Sequence, residues 1–149
     1  MRQMTWFVLL LLMAMAARSQ SISKLEADSM LHELQTNPPD LQRIDLLLHL
    51  AQYQVFKPDE HKDDFDSALA YIQQAIQINQ KLRSIEAAGF VSLTQSHLAR
   101  EKGLKDEARS LAQRAVDILQ KGNNKYYLAR AYFELSMHLD FRIPKELVQ

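Results

Sequence analysis

Residues 68 to 75 read Ala-Leu-Ala-Tyr-Ile-Gln-Gln-Ala, and residues 108 to 115 read Ala-Arg-Ser-Leu-Ala-Gln-Arg-Ala. Ala68, Ile72 and Ala75 recur as Ala108, Ala112 and Ala115, each forty positions on. Positions three and four apart share one face of a helix, so each segment offers a stripe of small or apolar side chains to a neighbour. Alanine in such a stripe lets helices approach closely, and helix pairs repeated at a fixed interval are the unit of several solenoids. The preceding helices keep the interval. Gln95-Ser96 returns forty residues later as Leu135-Ser136, while Leu50-Ala51 stands forty-five before Gln95-Ser96 because an acidic linker intervenes at 59–64.

Outward from these segments, helical spacing accounts for most of the chain. Ile22, Leu25, Met30, Leu31 and Leu34 are spaced for a helix over 22–35 that stops at Asn37-Pro38-Pro39, since proline lacks the backbone donor and restricts the residue before it. Asp40 is suited to cap a helix running to about residue 56, with Ile44, Leu47, Leu48, Leu50 and Ala51 on its apolar face and Lys57-Pro58 as its stop. A helix over 65–82, capped by Asp64 or Asp66, buries Ala68, Leu69, Ile72, Ala75, Ile76 and Ile78. The next runs over 84–102 and closes at Gly103. Another, over 106–121, turns Ala108, Leu111, Ala112, Ala115, Val116 and Leu119 inward. Asn124 caps the last full helix, over 125–141, and Pro144 permits one further start. No segment alternates with the period of two that a half-buried strand requires. The expected fold is all-α, an antiparallel helical-hairpin solenoid: a lead-in helix and turn over 20–39, then about two and a half hairpins over 40–149, the last incomplete.

Composition narrows the function classes. Lys and Arg total 18 against 18 for Asp and Glu, with no basic run, so nucleic acid is not an expected partner. Cysteine is absent, which removes disulfides, thiolate metal sites and Cys nucleophiles together. At the amino terminus, Met1-Arg2 precedes an apolar stretch over 6–17 and then Ala17-Arg18-Ser19, the pattern of a secretory signal peptide over 1–19. A dozen apolar residues fall short of the roughly 20 needed to span a bilayer. The expectation is therefore cleavage and export, with membrane contact only through an uncleaved leader or a membrane-bound partner. Loss of residues 1–19 removes Arg2 and Arg18 and no acid, turning 18 against 18 into 16 against 18.

The residues at the forty-residue interval resemble the tetratricopeptide repeat (TPR) family, which pairs a large-small dipeptide in a first helix with Ala, a bulky residue and Ala in a second. Repeats starting near Ile44, Gly89 and Ala129 fit that pattern. Gln95 and Ala112 depart from it, as does a period longer than the family's roughly 34 residues. The run Leu47-Leu48-His49-Leu50-Ala51-Gln52-Tyr53, followed by Phe56-Lys57-Pro58-Asp59-Glu60 and Asp64-Phe65-Asp66-Ser67-Ala68-Leu69, is similar to the opening repeat of the exported TPR regions of bacterial sensor histidine kinases. This resemblance implies a periplasmic protein- or peptide-binding module, the sensory part of a signal-transduction protein. No phosphoacceptor helix or nucleotide-binding glycine box accompanies it, so kinase activity does not carry over.

The resemblance also implies a concave groove lined by first helices. Its positions are Leu48 and Gln52, then Phe90, Leu93, His97 and Arg100, then Arg130, Phe133 and Met137. The Lys, Asn and Arg with which chaperone-docking members of the family clamp a terminal carboxylate are replaced here by Leu, Gln, His and Met. An apolar groove with two arginines suits an amphipathic helix or extended peptide. Leu93, Phe133 and Met137 have a competing reading as packing residues. At the open end, Tyr132, Leu135 and Leu139 would lack a second-helix partner, which suggests the alternative of a small structural protein that self-associates there.

Chemistry finds no foothold. The acids at 59–66 lack the central glycine and terminal glutamate of a calcium loop. His32, His49, His61, His97 and His138 form no pair four apart, and no nucleophile elbow or phosphate-cradling glycine loop is present. Neither catalysis, nor a metal, nor a cofactor is expected.

Overall fold

The computed structural model describes residues 22–58 and 61–138, and every regular element among them is an α-helix. The signal segment expected at 1–19, the linker residues Asp59 and Glu60, and Leu139 lie outside the described residues. The helices are α1 (Lys24–Thr36), α2 (Leu41–Phe56), α3 (Lys62–Leu82), α4 (Ile85–Glu101), α5 (Lys105–Leu119) and α6 (Lys125–Ser136). None is long and apolar enough to cross a membrane.

Local chemistry sets the boundaries. Ser23 and Glu26 form a reciprocal capping box at the start of α1, and the Asp40 carboxylate accepts from Arg43 N at 2.9 Å at the start of α2. Ser84 and Asn124 cap α4 and α6 through the backbone N–H groups of Ala87 and Tyr127. The start of α3 differs from the sequence expectation: the helix begins at Lys62, and Asp64 acts from inside the first turn by accepting from His61 N at 2.8 Å. Lys57 Nζ holds the same carboxylate at 2.6 Å, joining the end of α2 to the start of α3. At the α3 to α4 joint Arg83 adopts a left-handed conformation, with φ 56°, while the Asn79 side chain bonds both Ser84 N and Ser84 O. Gly103 takes φ 76° between α4 and α5, where it costs least.

Consecutive helices pack side by side: α2 with α3, α4 with α5, and α6 against both α5 and α4. Helix α4 sits at the centre, touching α2, α3, α5 and α6. The recurring small residues lie at the crossings, where Ala68, Ile72, Ala75, Ala108, Ala112 and Ala115 are sealed from solvent, as are Ala51 and Ala131. Leu69, expected inward, is exposed, and Leu111 is only partly buried. Helix α1 is the outlier. It contacts α2 alone and buries only Ala27, leaving Leu25 81% exposed and Leu31 also on the surface.

Helices α4 and α5 approach closely at Gly89. A Cβ added there would clash with Leu119 Cγ. Alanine at an exposed helical site would add up to about 1 kcal/mol over glycine, but overpacking a full core costs about 1–3 kcal/mol, so the clash sets the sign. Gly89→Ala is expected to lower the thermal midpoint, and combined with Leu119→Ala it should lower it by less than the sum of the two single changes. Stabilisation by Gly89→Ala alone would contradict this packing.

Candidate functional site

Helix α6 has its polarity arranged in an unusual way. Tyr127, Arg130 and Glu134, spaced three and four apart, turn toward α2 and α4, and Ala131 is sealed in the core beside them. Tyr127 Oη donates to Asp45 at 2.5 Å, Arg130 Nη2 donates to Gln52 Oε1 at 3.0 Å, and Arg100 Nη1 donates to Glu134 Oε2 at 2.6 Å. Meanwhile Tyr126, Phe133 and Met137, seven and four apart, are 54%, 67% and 59% exposed. Leu128, Ala131 and Leu135 of the same helix pack on the core, so Tyr126, Phe133 and Met137 form a second apolar stripe that the body leaves uncovered.

The aromatic face borders two adjoining cavities of about 600 and 640 Å³ that share Phe56, Tyr126 and Arg130. The first continues along α2 past His49, Gln52 and Tyr53 to Met30 of α1, and the second lies under His97, Arg100, Phe133 and Glu134. Together they form one groove across α1, α2, α4 and α6. Of the residues the sequence placed in a groove, Gln52, His97, Arg100, Arg130 and Phe133 are brought together here. Met137 is exposed one turn beyond Phe133. Leu48, Leu93 and Phe90 are not available to it. All three are buried in the core, and Phe90 stacks on Tyr127 with ring centroids 4.2 Å apart.

Gln52 is the hinge of the polar wall. Buried itself, it donates to Thr94 Oγ1 of α4 at 3.2 Å while accepting from Arg130 of α6, so a single amide links three helices. Arg130 also lies over the Tyr126 ring, 5.7 Å from its centroid. Arg100 lies 5.7 Å from the Phe56 ring centroid, and Phe56 packs on the His97 imidazole at 5.1 Å.

Beneath the second cavity is a carboxylate that sequence reasoning missed. Glu134, 2% exposed, is surrounded by Arg100, His97 Nε2 at 3.3 Å, His138 Nε2 at 3.2 Å and Ser96 Oγ at 3.4 Å. Burial works against its charge, but His97, Arg100 and His138 outweigh burial and hold the carboxyl below its ordinary range. Burial dominates at His97, which is kept neutral to lower pH than usual despite the carboxylate beside it. Its Nδ1 is buried without a hydrogen-bond partner. On the other wall burial opposes the charge of His49, yet the hydrogen bond and charge of Asp45 raise its value. Among the described residues no cluster of three metal-ligating side chains is present.

No family model, no curated protein and no solved structure matches this chain.

Because the folded-state value of Glu134 lies below its unfolded one, its contribution is complete above the ordinary carboxylate range and is lost as pH falls toward the folded value. His97 adds an earlier loss as pH drops below the ordinary histidine range, since the unfolded chain takes up a proton that the folded chain resists. Glu134→Gln strips Arg100 and two histidines of their shared acceptor charge. It is expected to cost about 1–3 kcal/mol at neutral pH and to flatten the acid limb of the stability curve in denaturant titrations. An unchanged acid limb would show that Glu134 does not carry it.

Proposed function

We propose that the chain is an exported protein- or peptide-binding module of the TPR-like helical-hairpin type, serving as the sensory front of a signal-transduction protein. The helix pairs that meet through alanine at a forty-residue interval support the repeat reading, and the leader pattern over 1–19 supports export. One observation carries the binding role: α6 leaves the rings of Tyr126 and Phe133 exposed at the border of a groove. Exposed aromatic surface beside a concavity favours association, since covering it removes apolar area from water. A groove open along α2, α4 and α6 suits an amphipathic or extended segment.

The second reading, a structural protein that assembles with itself, is favoured by Tyr132. It is exposed on the outer side of α6, its hydroxyl bonded to Gln120 at 2.5 Å.

Photo-crosslinking separates the two. A cross-linking residue placed at Phe133 in the exported full chain is expected to yield discrete heterologous adducts, whereas the same residue at the exposed Leu69 on α3 should yield none. Equal adducts from both positions, or none from Phe133, would sink the groove reading. Adducts of the chain with itself from Tyr132 would establish the second.

A further inference from the structure

The cations around the groove are not equivalent. Lys57 is held by Asp64 at 2.6 Å, and Arg100 by Glu134 at 2.6 Å and Glu101 at 3.0 Å. Arg130 lines both cavities, yet among the described residues no carboxylate lies within 4.0 Å of it. Its hydrogen bond goes to neutral Gln52, and its flat face rests near Tyr126. The carboxylates that border the cavities are already engaged. Glu134 is taken by Arg100 and its histidines, while Glu26 accepts from Ser23 N at 2.7 Å and Ser23 Oγ at 2.8 Å.

A guanidinium offers five N–H donors in a plane, a match for the two oxygens of a carboxylate. Gln52 fixes one edge of that plane, so little freedom remains to be lost when an anion docks. A cation beside an aromatic ring, with no carboxylate among the described residues to pair it, fits one negative charge flanked by apolar groups. It does not fit a polyphosphate backbone, which requires several cations in a row.

We propose that the groove's occupant is a peptide segment carrying an aspartate or glutamate side chain beside a large apolar residue. The carboxylate seats on Arg130 between Gln52 and Tyr126, and the apolar side chain covers Phe56 and Phe133. This assignment rests on the reading of the groove as a peptide site and adds the chemistry of the peptide.

The test uses a random-peptide display library fused to its carrier at the peptide C-terminus, so that selected acids are side chains and no free terminal carboxylate competes. The mature chain is expected to enrich sequences with Asp or Glu next to aromatic or large aliphatic residues. Changing the acid to its amide in a selected peptide should weaken binding roughly tenfold, and the difference should shrink with added salt. Arg130→Gln should lose the acidic preference while retaining the apolar one, and Arg130→Lys, which keeps the charge without the planar donors, should retain only part of it. Circular dichroism of both variants guards against misfolding. Enrichment of apolar sequences without acid by the unaltered chain would overturn the proposal and leave the groove reading standing. Failure of the unaltered chain to enrich any sequence would overturn both.

Discussion

The structure depends on how closely its helices can approach. Buried alanines recur along the packed faces, and at Gly89 an added methyl group would run into Leu119. Central α4 touches four other helices, burying Ala87, Gly89, Ser92, Ser96 and Ala99 beside the larger Phe90 and Leu93. Every side chain that reaches across the groove does so from a backbone position set by these crossings. Gln52 meets both Thr94 and Arg130 because α2, α4 and α6 converge within the reach of one amide.

Helix α6 is attached by polar links as well as by Leu128, Ala131, Leu135 and the Tyr127 ring stacked on Phe90. Hydrogen bonds to charged partners are directional, so Tyr127, Arg130 and Glu134 define the rotation of the helix about its axis more sharply than oily contacts would. Two of the three links involve acids, the exposed Asp45 and the buried Glu134, and hydrogen bonds and charges from their neighbours hold both carboxyls below their ordinary range. The exposed aromatic stripe is the other side of that arrangement.

The parts of the fold legible in the sequence were those governed by local or periodic chemistry. Alanine spacing named the sealed positions, and Asp40, Asn124 and Gly103 acted where their residue types predispose them to act. His61 was missed as the start of α3 because the capping carboxylate, Asp64, sits three residues inside the helix. Of the groove positions taken from the repeat pattern, Gln52, His97, Arg100, Arg130 and Phe133 border the cavities. Leu48, Phe90 and Leu93 are buried in the core instead, since burial follows the rotation of each helix against its neighbours, which the repeat does not encode. Glu134 depends on Arg100, thirty-four positions earlier, a separation no local pattern reveals. The one available hint was an acid between Ala131 and Leu135 on a face otherwise suited to the interior.

The partners of α6 also impose a sequence of events. Asp45 and Gln52 stand 82 and 78 residues before Tyr127 and Arg130, and they belong to a different helix from Arg100 and His97. Contacts so distant along the chain form late, after local pairs have closed the intervening loops. The aromatic wall can therefore be raised only once the amino-terminal and middle helices have met, so that a nascent chain presents no finished surface until its body is assembled.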